Sequence, residues 1–192
     1  MPAYDAILLT GGRSSRMGAP GKPGLRVGAE TMAARVAAAV PDAGRLIVVG
    51  PAYGVAATAV LTEDPPGGGP VAAIAAGLGE VSAPYVAVLA GDLPFLDAAT
   101  IALLLAEPAD LTVLVDDVGL DQLLCGVWRT RALAAAVASL PTPVGAPVRV
   151  LAAVLLTTGR RVVRRTVSST GRPPPWYDID TPAALAEARR WT

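Results

Sequence analysis

Tyr4-Asp5-Ala6-Ile7-Leu8-Leu9-Thr10-Gly11-Gly12, running on through Arg13-Ser14-Ser15-Arg16-Met17-Gly18-Ala19-Pro20-Gly21 to Lys22, decides how the chain is read. Tyr4–Thr10 has the apolar character and the length of a short β-strand. The glycine pair behind it lets backbone N–H groups come close to an anion. Arg16 and Lys22 add positive charge to the same loop, and two cations on one glycine loop suit a polyphosphate. The loop is not a Walker A sequence, because no Gly-Lys-Ser/Thr follows a four-residue gap, and it is not a G-x-G-x-x-G fingerprint. A plain glycine turn with solvated arginines has the same local composition.

Outward from this loop, apolar runs of strand length alternate with Ala/Leu-rich stretches of helix length. Strands are expected over Arg45–Gly50, Val60–Glu63, Pro84–Ala90, Leu111–Val115, Leu123–Arg129 and Arg161–Val167. Helices are expected over Ala29–Val40, Pro70–Glu80, Asp97–Ala106, Thr130–Leu140, Pro147–Thr157 and Thr181–Trp191. Asp97 and Thr181 are placed as N-caps, and Pro70 and Pro182 suit the first helical turn. Such alternation implies a parallel sheet covered on both faces. Ligands then bind beyond the carboxyl ends of the strands. The informative residues do follow strands. The 192 residues are expected to form one domain, 1–192.

Composition narrows the chemistry. The chain is 53% hydrophobic and 17% charged, which supports a large core and argues against wholesale disorder. Sixteen basic residues balance sixteen acidic ones, so nothing marks a partner nucleic acid or an anionic membrane. Histidine is absent, which excludes a Ser-His-Asp triad, a Cys-His dyad and any imidazole base within the chain. The single cysteine, Cys125, excludes an internal disulfide and a Cys₄ metal site. Fifteen of the sixteen basic residues are Arg and Lys22 alone is Lys. A GC-rich coding sequence accounts for the scarcity of Lys and makes the one that survives worth examining. With no targeting segment and no apolar run long enough to span a bilayer, a soluble cytoplasmic protein is expected.

Three further motifs carry chemistry. Glu63-Asp64-Pro65-Pro66-Gly67-Gly68-Gly69-Pro70 can lay backbone against a flat base, or be an ordinary surface loop. Asp92, in Gly91-Asp92-Leu93-Pro94-Phe95, directly follows a buried strand. In a chain without histidine, a carboxylate there is the natural ligand for Mg²⁺ shared with phosphate oxygens. A capping role is better filled by Asp97. In Asp178-Ile179-Asp180-Thr181-Pro182, alternation puts both carboxylates on one face. Either could assist a metal, or Asp180 could help cap the last helix.

With these residues in view, the chain resembles the molybdenum cofactor guanylyltransferase family over nearly its whole length. The family's L-x-G-G-x-x-x-R-M-G followed by Lys is met by Leu9–Lys22, and its E-D before a Gly-Pro-rich turn by Glu63–Ile74. The strand-terminal Asp is met by Asp92, and the N/D-x-N/D-T-P by Asp178–Pro182. The resemblance implies a Rossmann-like three-layer α/β/α fold with a mixed, mainly parallel sheet, forming a nucleotidyltransferase domain. It implies transfer of GMP from GTP to the terminal phosphate of molybdopterin or the molybdenum cofactor, with Mg²⁺, and delivery proteins or apo-molybdoenzymes as partners. Leu9, Thr10, Gly11, Gly12, Lys22, Asp64 and Asp92 would bind the nucleotide. Lys22, Asp92 and Arg16 would be catalytic, and Asp92 would hold the metal, with Asp180 a second candidate. Gly11-Gly12 favours GTP over the CTP of the cytidylyltransferase relatives. Gly21, Gly24, Gly50 and Leu123 depart from the usual Asp, Leu, Asn and Pro.

Transfer to an acceptor phosphate needs no general base, because the nucleophile is already anionic, so the missing histidine is compatible with it. The alternatives are a cytidylyltransferase, a guanylyltransferase for another small phosphorylated acid such as phospholactate, and a nucleotide-binding regulator with a degraded site. Cys125, Trp128 and Trp191 are expected to be packing residues. Trp176 and Tyr177 could border the acceptor or anchor the core. Arg160, Arg161, Arg164 and Arg165 form a basic patch that could face an acidic partner or the acceptor phosphates, or be a solvated strand edge.

Overall fold

A computed structural model describes residues 1–12, 21–107, 109–168 and 171–191. In chain order these form β1 (Tyr4–Leu9), β2 (Arg26–Val27), β3 (Glu30–Thr31), α1 (Met32–Ala38), β4 (Leu46–Val49), β5 (Ala59–Leu61), α2 (Pro70–Leu78) and β6 (Tyr85–Ala90). Then come α3 (Ala98–Leu105), β7 (Leu111–Val115), β8 (Asp121–Arg129), α4 (Thr130–Ala138), α5 (Arg149–Thr157), β9 (Val162–Arg165) and α6 (Pro182–Ala188). The main sheet has seven strands in the order β5-β4-β1-β6-β8-β7-β9.

All six residues of β1 are buried, as a strand covered on both faces requires. Its alternating side chains feed two cores. Ala6 and Leu8 join Val48, Ala87 and Leu89 under α1 and α3. Ile7 and Leu9 join Ile47, Val49, Val86 and Val88 under α2, α4 and α5. This is the expected three-layer α/β/α arrangement. The sheet is mixed because β8 pairs antiparallel with both β6 and β7. The connection from β7 is too short for a crossover helix and makes a hairpin instead. Within it, Asp116 Oδ1 accepts from the Val118 and Leu120 N–H groups, and Gly119 takes φ 88°.

Caps fall where the sequence puts them. Asp97 accepts from the Thr100 N–H, and Thr181 accepts from that of Ala184. The helix expected over Ala29–Val40 is shorter. Glu30–Thr31 pairs with Arg26–Val27 as a two-stranded ribbon, and Thr31 then caps α1 from an extended conformation. No helix among the described residues is long and apolar enough to cross a membrane.

Two features outside the expected elements hold the site in place. Asp5, buried within β1, accepts from the Ser82 and Ala83 N–H groups at 2.7 and 2.9 Å and so fixes the approach to β6. Ile179 is fully buried with Val27, Met32, Leu185 and Ala188. Burying such a side chain contributes about 2 kcal/mol, which pins the segment carrying Asp178 and Asp180.

Candidate active site

β1 is flanked by β4 and β6, both parallel to it, so the chain turns off the sheet at three neighbouring carboxyl ends. The switch in strand order at β1 is where an open α/β sheet forms its ligand crevice. Thr10 and Gly11 leave β1 there, Gly50 leaves β4, and Gly91-Asp92 leaves β6. The Gly91 N–H donates to the Leu9 carbonyl at 2.8 Å, and those of Thr10 and Gly11 donate to the Val49 carbonyl at 3.0 and 3.2 Å. The Gly11 N–H is thus engaged within the protein in this structure. The Thr10 hydroxyl also donates to the Val49 carbonyl, at 3.3 Å, so Thr10 contributes as a buried wall.

Gly50 explains one departure from the family pattern. It sits at φ 114°, and a Cβ there would lie 2.3 Å from the Gly11 nitrogen and 2.8 Å from its Cα. A side chain at position 50 would push the first glycine loop out of place. Gly21 and Gly24 explain two more. A Cβ on Gly21 would meet the Tyr53 hydroxyl at 2.6 Å, and one on Gly24 would meet the Tyr53 ring at 2.5 Å. Tyr53, at φ 48°, lies over the 3₁₀ turn Lys22–Gly24 and fills the space that side chains on the turn would occupy. These departures are a packing solution, and they weaken the case for a degraded site. Tyr53 was not singled out in the sequence, since only the fold brings it to this turn.

Lys22 occupies the centre. The residue is only 8% exposed, and its Nζ donates to Asp92 Oδ2 at 2.6 Å and to Asp180 Oδ1 at 2.5 Å. Burial alone pulls its pKa down, but the hydrogen bonds and charges of Asp180 and Asp92 outweigh that and raise it. Thr181 supplies the cap of α6, which leaves the Asp180 carboxylate to Lys22. Asp178 stands beside Asp180, Asp92 and the Lys22 charge, and its pKa is raised, first by burial and then by the charge of Asp180. The lysine is therefore held by carboxylates, which a nucleotide phosphate would have to replace.

The carboxylates of Asp92 and Asp180 share one Nζ, so they are close enough to share one hard cation. Two oxygen donors completed by phosphate and water match what Mg²⁺ takes from proteins. Among the described residues no group of three or more His, Cys, Asp or Glu side chains could hold a metal ion.

On the far side of Asp92 lies a cavity of about 310 Å³, bordered by Leu93, Leu123, Leu124, Val148 and Trp176. Trp176 is thus a border of this cavity and a partner of the core. Cys125 is buried as expected, and burial together with the Asp97 charge pushes its thiol up to about 12, so it is inert. On the opposite side, the buried Glu63 accepts from the Gly67 N–H at 3.0 Å and shapes the glycine-rich turn, while Asp64 is exposed. Arg16 lies outside the described residues.

Two expectations are corrected. Trp191 is half exposed and is not a core residue. Three of the four arginines expected as a basic patch are paired with carboxylates, while Arg160 is exposed. Arg164 makes a two-pronged pair with Asp121 at 2.7 and 2.8 Å, and Arg161 and Arg165 both pair with Glu107.

A lysine set among carboxylates at a switch point, in a chain without imidazole, suits the movement of phosphate-linked groups, and the class is that of nucleotidyltransferases. The chain belongs to the MobA-like NTP transferase domain family, which matches residues 6–162. No curated protein sequence matches it. Solved structures share the fold at low identity. A nucleotidyl transferase from Methanothermobacter superposes with TM-score 0.77 at 19% identity, covering 98% of this chain and 97% of the other. The 2-C-methyl-D-erythritol 4-phosphate cytidylyltransferase of Thermus thermophilus gives 0.70 at 18%, covering 98% of each chain. A molybdopterin-guanine dinucleotide biosynthesis protein A from Archaeoglobus fulgidus gives 0.69 at 17%, covering 97% of each.

Proposed function

We propose that this nucleotidyltransferase moves GMP from GTP onto the terminal phosphate of molybdopterin or its molybdenum form. The observation that carries the reading is Lys22 pinned by Asp92 and Asp180 at the carboxyl ends of β1 and β6, within a motif set shared with the guanylyltransferase family. The Gly11-Gly12 pair supports guanine, and the Archaeoglobus neighbour supports the acceptor.

In the proposed reaction an acceptor phosphate oxygen attacks the α-phosphorus of GTP. The new P–O bond forms as the bond to the β-phosphate bridge breaks, and pyrophosphate leaves with the electron pair. No proton need be removed from the nucleophile. The Lys22 ammonium leaves its carboxylates for the triphosphate and follows the charge that builds on the departing pyrophosphate. Asp92 and Asp180 would hold Mg²⁺, which supplies charge neutralisation of the phosphates. Gly50 and Tyr53 keep the loops that carry these groups in register. Fixed charge at the reacting phosphates is the main catalytic resource of such a site.

The structural likeness to cytidylyltransferases supports a second reading with CTP as donor. Measuring pyrophosphate release with molybdopterin and each of the four NTPs separates the two. The proposal expects GTP to be preferred, and equal or better use of CTP would overturn the guanine assignment.

A further inference from the structure

Lys22 and Asp92 stand on segments far apart in the chain, yet Lys22 Nζ lies 2.6 Å from Asp92 Oδ2. The first turns of α1 lie where these two segments are joined. The Met32 N–H donates to the Leu25 carbonyl at 2.9 Å, just beyond the Lys22 turn. The Thr31 hydroxyl donates to the Tyr53 carbonyl at 3.1 Å, and so holds the tyrosine that packs on that turn. Arg35, on the next turn of α1, makes the connection to Asp92. Its Nε donates to the Pro94 carbonyl at 2.9 Å, and its Nη1 reaches the Val27 carbonyl at 3.5 Å. Pro94 belongs to the loop that carries Asp92, and Val27 to the ribbon that leaves the Lys22 turn. Val27 is fully buried with Met32 and Ile179, and Phe95, next to Pro94, packs against the same cluster. Among the described residues both partners of the Arg35 guanidinium are backbone carbonyls. A rigid planar group bonded to two carbonyls fixes the distance between the segments that bear them.

We propose that Arg35 is a positioning residue: by bridging the Val27 and Pro94 carbonyls it sets the separation of Lys22 and Asp92. Its catalytic consequence rests on the proposed nucleotidyl transfer and deepens it, while the bridge itself is a property of the nucleotide-free protein. Arg35 acts through the backbone. A displacement of about 1 Å between groups that must meet the same phosphates costs on the order of a hundredfold in rate. A lysine at this position would keep the charge and the apolar stem, but its single ammonium is a point donor and lacks the planar fork that spans two carbonyls.

Lys22 is the only lysine of the chain. Protein labelled on the lysine side-chain nitrogen therefore gives one NMR signal for that ammonium, without nucleotide. In wild type the pairing with Asp92 and Asp180 should protect the ammonium hydrogens from exchange with water. Arg35→Met, which keeps the stem and loses every donor, should exchange them roughly tenfold faster, the worth of one hydrogen bond. Transfer is read as kcat and KM for GTP with molybdopterin and Mg²⁺. In Arg35→Met and in Arg35→Lys kcat should fall by roughly ten- to a hundredfold, with KM changed much less. Added ethylguanidinium should restore kcat to Arg35→Ala, and ethylammonium should not. Wild-type exchange of the Lys22 ammonium in Arg35→Met overturns the bridge. A wild-type kcat in Arg35→Lys overturns it as well, because charge alone would then suffice, and a variant that loses Tm but keeps kcat overturns the positioning role. Should Arg35→Met fail to fold, kcat of Arg35→Lys decides. Absence of transfer by wild type with every NTP defeats the transferase reading instead, and the exchange measurement then decides the bridge alone.

Discussion

Replacing Lys22 by Met keeps the length and apolar stem of the side chain and removes the ammonium. Among the described residues that ammonium pairs with an Asp92 side chain 21% exposed and an Asp180 side chain 50% exposed. Breaking a fully buried pair costs roughly 3–5 kcal/mol. Solvent screening of Asp180 lowers this, so Lys22→Met should lose about 2 kcal/mol in chelator. For a domain of this size that is a fall in Tm of roughly 4–8 °C. The sign with pH follows from the raised pKa of Lys22. The stabilisation is fully present below the ordinary lysine value and is lost as pH rises through the raised one, so wild type and variant should converge only in strong alkali. The same substitution removes the ammonium that competes with a cation for the Asp92 and Asp180 carboxylates. Binding of Mn²⁺ without nucleotide, followed by the loss of the free-ion EPR signal, should tighten by roughly tenfold or more, and Mn²⁺ should restore the lost Tm. Turnover should nevertheless fall by about a hundredfold or more, because the triphosphate loses its cation. A variant as stable as wild type in chelator, with unchanged Mn²⁺ affinity, would refute the placement of Lys22 between the carboxylates.

Three other perturbations test separate parts of the structure. Gly50→Ala forces a Cβ to 2.3 Å from the Gly11 nitrogen at φ 114°, and urea unfolding should show a loss of at least about 2 kcal/mol along with weaker NTP binding. Asp97→Ala removes the cap of α3 and the partner of Arg172, at a cost of about 1 kcal/mol at pH 7. Burial works to raise the Asp97 pKa, but bonds from Thr100 and the Arg172 charge lower it overall, so its stabilisation is present above the usual Asp value and disappears as pH falls through the lowered one. Asp178 is shifted the opposite way, so its carboxylate disfavours the metal-free fold once pH rises through the raised value. Asp178→Asn should therefore melt at a higher temperature than wild type at pH 7 in chelator, and the gain should vanish below the ordinary Asp pKa.

The fold was legible where local chemistry decides it. The apolar run of β1, Pro70 at the start of α2 and the Thr181-Pro182 pair at α6 each mark an element boundary without help from distant residues. The reversed direction of β8 was not evident from strand–helix alternation. It depends on the short Asp116–Leu120 hairpin, which strand–helix alternation does not signal. At the site, Lys22, Asp92 and Asp180 were named from sequence, and the fold brings these three together. Their mutual pairing could not be read, because positions 22, 92 and 180 meet only when β1, β6 and the Ile179 anchor are assembled. Gly21, Gly24 and Gly50 looked like erosion of a motif. Their reason lies in Tyr53 and Gly11, each brought within contact by tertiary packing. Asp5 carries no local signal of its role, and only the position of Ser82 and Ala83 reveals it as a buried clamp.

The central claim is nucleotidyl transfer at the Lys22–Asp92–Asp180 centre. Its most direct test is a single-turnover reaction with GTP labelled at the α-phosphorus, molybdopterin and Mg²⁺, comparing wild type with Asp92→Asn. Label appearing on the acceptor with release of unlabelled pyrophosphate, and slowed about a hundredfold in Asp92→Asn, is the predicted result. Label that never reaches the acceptor, or transfer by Asp92→Asn at the wild-type rate, would contradict it.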